Sequence, residues 1–124
     1  MPVKILSVDD SRTIRLIVGR ALRSYDCVLC EAANGEEGLA AAAREKPDLI
    51  LLDVMMPYID GYHVAYEITN KLGTKAPYIM IMTSRDTVRE KGIALMSGAH
   101  EVIQKPFEMA KLHERVASVL TKAT

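Results

Sequence analysis

Residues 49–57 read LILLDVMMP: four apolar residues, Leu49 to Leu52, run unbroken into Asp53, and Val54-Met55-Met56-Pro57 follows. A short apolar run bounded by turn residues predicts a strand buried on both faces, here over 48–53. Asp53 then stands at the strand's carboxyl end, the edge on which doubly wound parallel sheets build their ligand sites. Asp60-Gly61 continues the loop signal. Taken alone, such an aspartate is most simply a residue that ends a strand and caps the next helix. The other strands decide whether it is more.

Working outward, 4–8 (KILSV) is a short apolar run ending at Asp9-Asp10-Ser11, and reads as the first strand. Ile14, Ile17, Val18, Ala21 and Leu22 then form a helical stripe, which Asp10 or Ser11 can cap. The spans 27–32, 76–82 and 101–104 read as further strands. Asn34-Gly35 is a turn signal, and an Ala-rich helix over 36–46 is stopped by Pro47. A helix over 61–72 places Val64, Ala65, Ile68 and Leu72 inward and ends at Gly73. A fourth helix spans 88–97, and Met109, Leu112, Val116, Val119 and Leu120 stripe the last. Strand and helix alternate five times. The expectation is an α/β fold, a doubly wound five-stranded parallel sheet with helices on both faces and right-handed crossovers.

The chain has 124 residues, which predicts one domain over 1–124, large enough to bury an independent core. Sixteen basic residues balance sixteen acidic ones, so no sequence-independent grip on nucleic acid or an anionic membrane is expected. No apolar run approaches the roughly 20 residues of a membrane span. Met1-Pro2-Val3-Lys4 enters the first strand directly and leaves no room for a signal peptide, so a cytoplasmic location is expected. Cys27 and Cys30 form a CxxC within a strand, where residues three apart face opposite sides. They read as small core or interface residues rather than a metal or disulfide pair.

At the carboxyl ends of the strands stand Asp9 and Asp10, then Asp53, then Thr83 and Ser84, then Lys105 before Pro106. In a parallel sheet these ends share one rim. Each has a plain explanation by itself: a cap pair, a helix start, a solvated charge. Together, three carboxylates would raise one another's pKa, and such a cluster commonly holds a cation. Oxygen-only ligation suits a hard ion, and Mg²⁺ binds through one or two carboxylates, waters and a phosphate. A lysine and a hydroxyl opposite the metal would orient phosphoryl oxygens. The chemistry suggested is phosphoryl transfer onto a carboxylate. His63 and His113 fall in helices and His100 at the opposite edge of the sheet, so no Ser–His–Asp array or zinc site forms. No GxGxxG or GxxxxGK[ST] is present to cradle a nucleotide.

Asp9-Asp10, Asp53 with Pro57 four residues on, Asp60-Gly61, Thr83-Ser84, Gly98-Ala99 and Lys105-Pro106-Phe107, in this order and spacing, resemble the receiver domain of two-component response regulators over essentially the whole chain. The resemblance implies a flavodoxin-like sheet of strand order 2-1-3-4-5. It also implies that Asp53 is the phosphoacceptor, that Asp10, Asp53 and the Met55 carbonyl coordinate Mg²⁺ with Asp9 acting through a water, that Thr83 is the switch hydroxyl, and that Lys105 pairs with a phosphoryl oxygen and precedes a cis bond to Pro106. The implied partners are a sensor histidine kinase or histidine phosphotransfer protein and a downstream protein bound through the face of the fourth helix, fifth strand and fifth helix. The expected state is a monomer.

The chain departs from the family pattern at three positions. Val102 replaces the aromatic residue often found three before the lysine, Ser84 follows the switch hydroxyl where Ala or Gly is usual, and Met55 gives no polar side chain two beyond Asp53. Met55 and Arg85 are expected to flank the path of an attacking water. A receiver of this kind catalyses its own modification and turns over no separate metabolite. The alternatives are an aspartyl-phosphate phosphatase, which in the haloacid-dehalogenase type carries Asp-x-Asp where this chain has Asp53-Val54-Met55, and a receiver-like module that never takes phosphate.

Overall fold

The computed structural model describes residues 2–123. Five strands alternate with five helices: β1 (Val3–Val8), α1 (Arg12–Ala21), β2 (Cys27–Ala32), α2 (Gly35–Glu45), β3 (Leu49–Asp53), α3 (Gly61–Leu72), β4 (Tyr78–Thr83), α4 (Thr87–Met96), β5 (Glu101–Gln104) and α5 (Met109–Ala123). All pairings are parallel, and the strand order is β2-β1-β3-β4-β5. Parallel neighbours need crossovers, and the helices supply them while covering both faces.

β3 is the spine. All five of its residues are buried, and it pairs with β1 on one side and β4 on the other. Fully burying each of its leucine and isoleucine side chains contributes roughly 1.5–3 kcal/mol, so the strand that carries Asp53 is held more firmly than any edge strand. Alternate residues serve the two faces. Leu6, Val8, Ile50, Leu52, Ile79 and Ile81 pack with α2, α3 and α4. Ile5, Leu49, Leu51, Met80 and Met82 pack with α1 and α5. The two cysteines follow the same alternation. Cys27 packs on the α1/α5 side and Cys30 on the other, and both are free thiols.

The helix starts differ from the sequence reading in instructive ways. Ser11, not Asp10, caps α1, its hydroxyl accepting from the Ile14 N–H at 3.3 Å. Asn34 is the N-cap of α2 rather than a turn residue. Its Oδ1 accepts from the Glu37 N–H while Glu37 reaches back to the Ala33 N–H, the reciprocal satisfaction of orphan donors expected at a helix start. Asp60, not Asp53, caps α3 through the His63 N–H at 2.9 Å. Two residues expected inward are exposed. Leu72 is 40% exposed because it ends α3 where the chain leaves the sheet for the short 3₁₀ turn Gly73–Lys75, and Met109 is 46% exposed because it opens α5 before that helix reaches the sheet. The same 3₁₀ turn delays β4 to Tyr78, and the strand runs on to include Thr83.

Gly61 fixes the loop that follows Asp53. Its N–H donates to the Val54 carbonyl at 3.0 Å, and a Cβ there would collide with the Asp53 carbonyl. Backbone against backbone leaves no flexible atom to give way. Gly61→Ala is therefore expected to cost about 3 kcal/mol, at the severe end for a single substitution, and to displace Asp53. Urea unfolding measures the loss, and an unchanged midpoint would show that the loop relaxes freely.

Candidate functional site

The strand ends deliver the side chains to one rim. β1 ends at Val8, and the Asp9 N–H donates to the Ala32 carbonyl at 3.1 Å, which pins the first carboxylate. Asp53 is the last residue of β3, and the next N–H, that of Val54, bonds the Met82 carbonyl of β4. Thr83 closes β4, and its carbonyl accepts from the Lys105 N–H at 2.7 Å, which sets Lys105 beside it. The peptide bond from Lys105 to Pro106 is cis.

One ligand atom from each of Asp9, Asp10 and Asp53 lies within 4.8 Å of the others. Asp9 is fully buried, Asp53 is 4% exposed, and Asp10 faces solvent. The Lys105 ammonium donates to Asp53 Oδ1 at 2.8 Å and to Asp9 Oδ2 at 2.9 Å. The other Asp9 oxygen accepts from the Ser11 N–H at 2.9 Å. Asp9 is thus held by protein donors on both oxygens, whereas Asp10 and one side of Asp53 face the opening.

The electrostatics follow from this crowding. Burial pushes the Asp53 carboxyl up to about 6, opposed by the hydrogen bond from Lys105 and reinforced by the charges of Asp9 and Asp10. For Lys105, burial pulls toward the neutral form, but its bonds to Asp53 and Asp9 outweigh it and hold the ammonium above its usual range. One lysine facing three carboxylates leaves a net negative pocket. The donor set is all oxygen and partly open, which fits a hard divalent cation and does not suit a soft one.

The sequence-expected residues converge. Thr83 is 1% exposed, and its Oγ1 accepts from the Arg85 N–H at 3.1 Å. Met55 is 56% exposed, and the Arg85 guanidinium donates to its sulfur at 3.1 Å, so the two expected flanking residues touch over the rim. Val102 packs, half-buried, on the α2/α3/α4 side of the sheet. Two neighbours were not legible in the sequence. Arg15 of α1 bonds the Asp9 carbonyl. Glu90 of α4, 3% exposed, accepts from the Tyr62 hydroxyl at 2.8 Å. The only sequence signal for Glu90 was its place on the first turn of a helix, where an acidic residue is ordinary.

Comparison with known proteins agrees with this fold. The response regulator MprA of Mycolicibacterium vanbaalenii is 37% identical over 124 residues, covering all of this chain and 53% of that protein. The probable transcriptional regulator ycf27 of Porphyridium aerugineum is 39% identical over 119 residues, 96% of this chain and 48% of that protein. The chain thus spans about half the length of the curated relatives it matches. Among solved structures, chemotaxis protein CheY4 of Vibrio cholerae superposes with a TM-score of 0.88 at 29% identity, covering 96% of this chain and 99% of that one. The BeF3-activated receiver domain of DrrB gives 0.86 at 26% identity, covering 98% and 99%. The family model for the response regulator receiver domain matches residues 5–117, and with the five-stranded fold and the rim it carries, the chain belongs to the response regulator receiver domain family of two-component signalling.

Proposed function

We propose that this receiver takes a phosphoryl group on Asp53 from a histidine kinase or histidine phosphotransfer protein, and that the modified form binds a downstream protein differently. The observation that carries the reading is the Lys105 ammonium bridging Asp53 and Asp9, with Asp10 alongside and open. An Asp53 oxygen attacks phosphorus, the P–N bond to the donor imidazole breaks, and its electron pair leaves on the ring nitrogen. Asp53 is the nucleophile because it sits at the centre of the rim with one side facing the opening. Lys105, already on its other oxygen, shifts to a phosphoryl oxygen and offsets charge there. The Thr83 hydroxyl turns from accepting the Arg85 N–H to donating to the phosphoryl group. Mg²⁺, when bound, supplies charge neutralisation for the transferring group. Asp10, Asp53 and the Met55 carbonyl would hold it, with Asp9 acting through a water because both its oxygens serve protein donors.

Intact-mass spectrometry after acetyl phosphate and Mg²⁺ tests the transfer. One phosphate adduct is expected, and none without the metal. Asp10→Ala is expected to weaken Mg²⁺ binding roughly tenfold or more while leaving the fold intact, since Asp10 is exposed and removing a direct ligand costs at least what removing its support does. Calorimetric titration reads this, and an unchanged affinity would place the metal elsewhere. A groove of about 740 Å³ lined by Thr87, Val102, Lys105, Phe107 and Lys111 lies where α4, β5 and α5 meet. It supports that face as the one a downstream protein contacts.

A further inference from the structure

A run of contacting side chains joins the rim to α3. The Arg85 N–H rests on the Thr83 hydroxyl at 3.1 Å. The Arg85 guanidinium spans two partners: one nitrogen donates to the Met55 sulfur at 3.1 Å, and another lies 3.6 Å from Oε1 of Glu90. That same Oε1 accepts from the Tyr62 hydroxyl at 2.8 Å. Tyr62 belongs to α3 and Glu90 to the first turn of α4, so the pair ties two helices together beneath the loop that carries Arg85. Burial first, then the bond to Glu90, holds the Tyr62 phenol well above its ordinary range, which keeps it a donor.

The strengths of these links are unequal. A carboxylate buried as deeply as Glu90 is costly unless its partners stay. Its bond to Tyr62 is short and half-buried, whereas the Arg85 side chain is half exposed, stands off at ion-pair distance, and spends its other end on a thioether, a weak acceptor. A phosphoryl group is a far better partner for a guanidinium than a thioether is. Once the Thr83 hydroxyl turns away, the Arg85 N–H also loses its acceptor.

Resting on the phosphorylation reading above, we propose that Glu90 and Tyr62 are positioning residues of a latch. In the unmodified protein Arg85 and Tyr62 together hold Glu90, and with it the first turn of α4, against α3. A phosphoryl group on Asp53 draws Arg85 to itself, leaves Glu90 with one neutral donor, and releases that turn. The state of Asp53 is thus read on the α3/α4 side of the sheet through Arg85 and Glu90, with no need of a mobile side chain at Val102. A protein partner that distinguishes the two states does so at the start of α4.

Backbone and side-chain NMR on the whole chain, with Mg²⁺ and beryllofluoride as the phosphoryl mimic, tests this with the wild type, Glu90→Gln and Tyr62→Phe. In the wild type the Arg85 Nε–H, the amides of 87–91 and the Tyr62 ring should shift together with Thr83 and Lys105. In Glu90→Gln the responses of Thr83 and Lys105 should persist, while that of Tyr62 falls roughly threefold, the scale of a coupling of under 1 kcal/mol. In both variants the mimic-free amides of 87–91 should already lie along the line joining the wild-type free and bound positions, as a population shift requires. A merely structural role would move them off that line. Responses at Thr83 and Lys105 with none at Arg85 and Tyr62 would overturn the latch alone. So would full-sized responses at Tyr62 in Glu90→Gln. Silence at Thr83 and Lys105 would overturn the phosphorylation reading, and the latch with it.

Discussion

Asp53→Asn should abolish the phosphate adduct and, in the absence of Mg²⁺, make the protein more stable at neutral pH. The second outcome follows from the site's charge balance. The Asp53 carboxyl is pushed from 3.8 to about 6, first by burial and then by Asp9 and Asp10, with Lys105 only partly offsetting them. A raised folded-state pKa means that the fold favours the protonated carboxyl. The associated stability is fully present below the unfolded pKa and is lost as pH rises through about 6. At pH 7 the ionised group therefore weighs against the fold. An amide of the same shape removes that cost, although Lys105 gives up one partner, so the net gain is expected to be on the order of 1–2 kcal/mol. Urea unfolding of wild type and variant at a series of pH values separates Asp53 from every other carboxylate, because only the difference is read. The curves should meet below about pH 4, diverge between roughly pH 4 and 6, and run parallel above that. A difference that is flat with pH, or a less stable variant, would show that Lys105 compensates Asp53 fully. A full phosphate adduct on the variant would move the phosphoacceptor to another residue.

The rim was legible because parallel strands put their carboxyl ends on one edge, so Asp9, Asp53, Thr83 and Lys105 could be brought together by counting strands alone. The strand order could not be counted; it came from the resemblance, and the β2-β1-β3-β4-β5 sheet agrees with it. The misses have separate physical causes. Leu72 and Met109 fit an apolar stripe, but periodicity reports direction around a helix and not where the helix runs off the sheet. Asn34-Gly35 has the composition of a turn, and only the geometry shows Asn34 capping a helix instead. Glu90 was invisible for a deeper reason. A glutamate on a helix surface is solvated by default, and the partner that receives it here is a tyrosine 28 residues earlier on a different helix. Contacts between helices on the same face of a sheet depend on side-chain reach, which spacing does not encode.

Lys105→Ala should destabilise the metal-free protein strongly, in a way that pH and Mg²⁺ both reverse. The ammonium bonds Asp9 at 2.9 Å and Asp53 at 2.8 Å, and those side chains are 0% and 6% exposed. Burial works to neutralise the lysine, but the two bonds prevail and raise its pKa, so its contribution is fully present below the unfolded lysine pKa, and hence throughout the neutral range. Removing it leaves two buried carboxylates facing each other with no cation, a loss expected at about 3 kcal/mol or more. In a domain of this size that lowers Tm by roughly 10 °C. Below pH 6 the loss should shrink, because Asp53 then takes up a proton and the repulsion ends. Millimolar Mg²⁺ should also shrink it, since the carboxylates gain another counter-ion, and adding Asp10→Ala should blunt that rescue. The double variant Asp53→Asn with Lys105→Ala should lose much less than the sum of the single changes, because the two residues answer each other directly. Thermal unfolding of the four proteins, with and without Mg²⁺, closes the cycle. A loss that is equal at every pH, insensitive to Mg²⁺ and additive with Asp53→Asn would make Lys105 a packing residue, and the negative pocket would then have to be balanced by some other group.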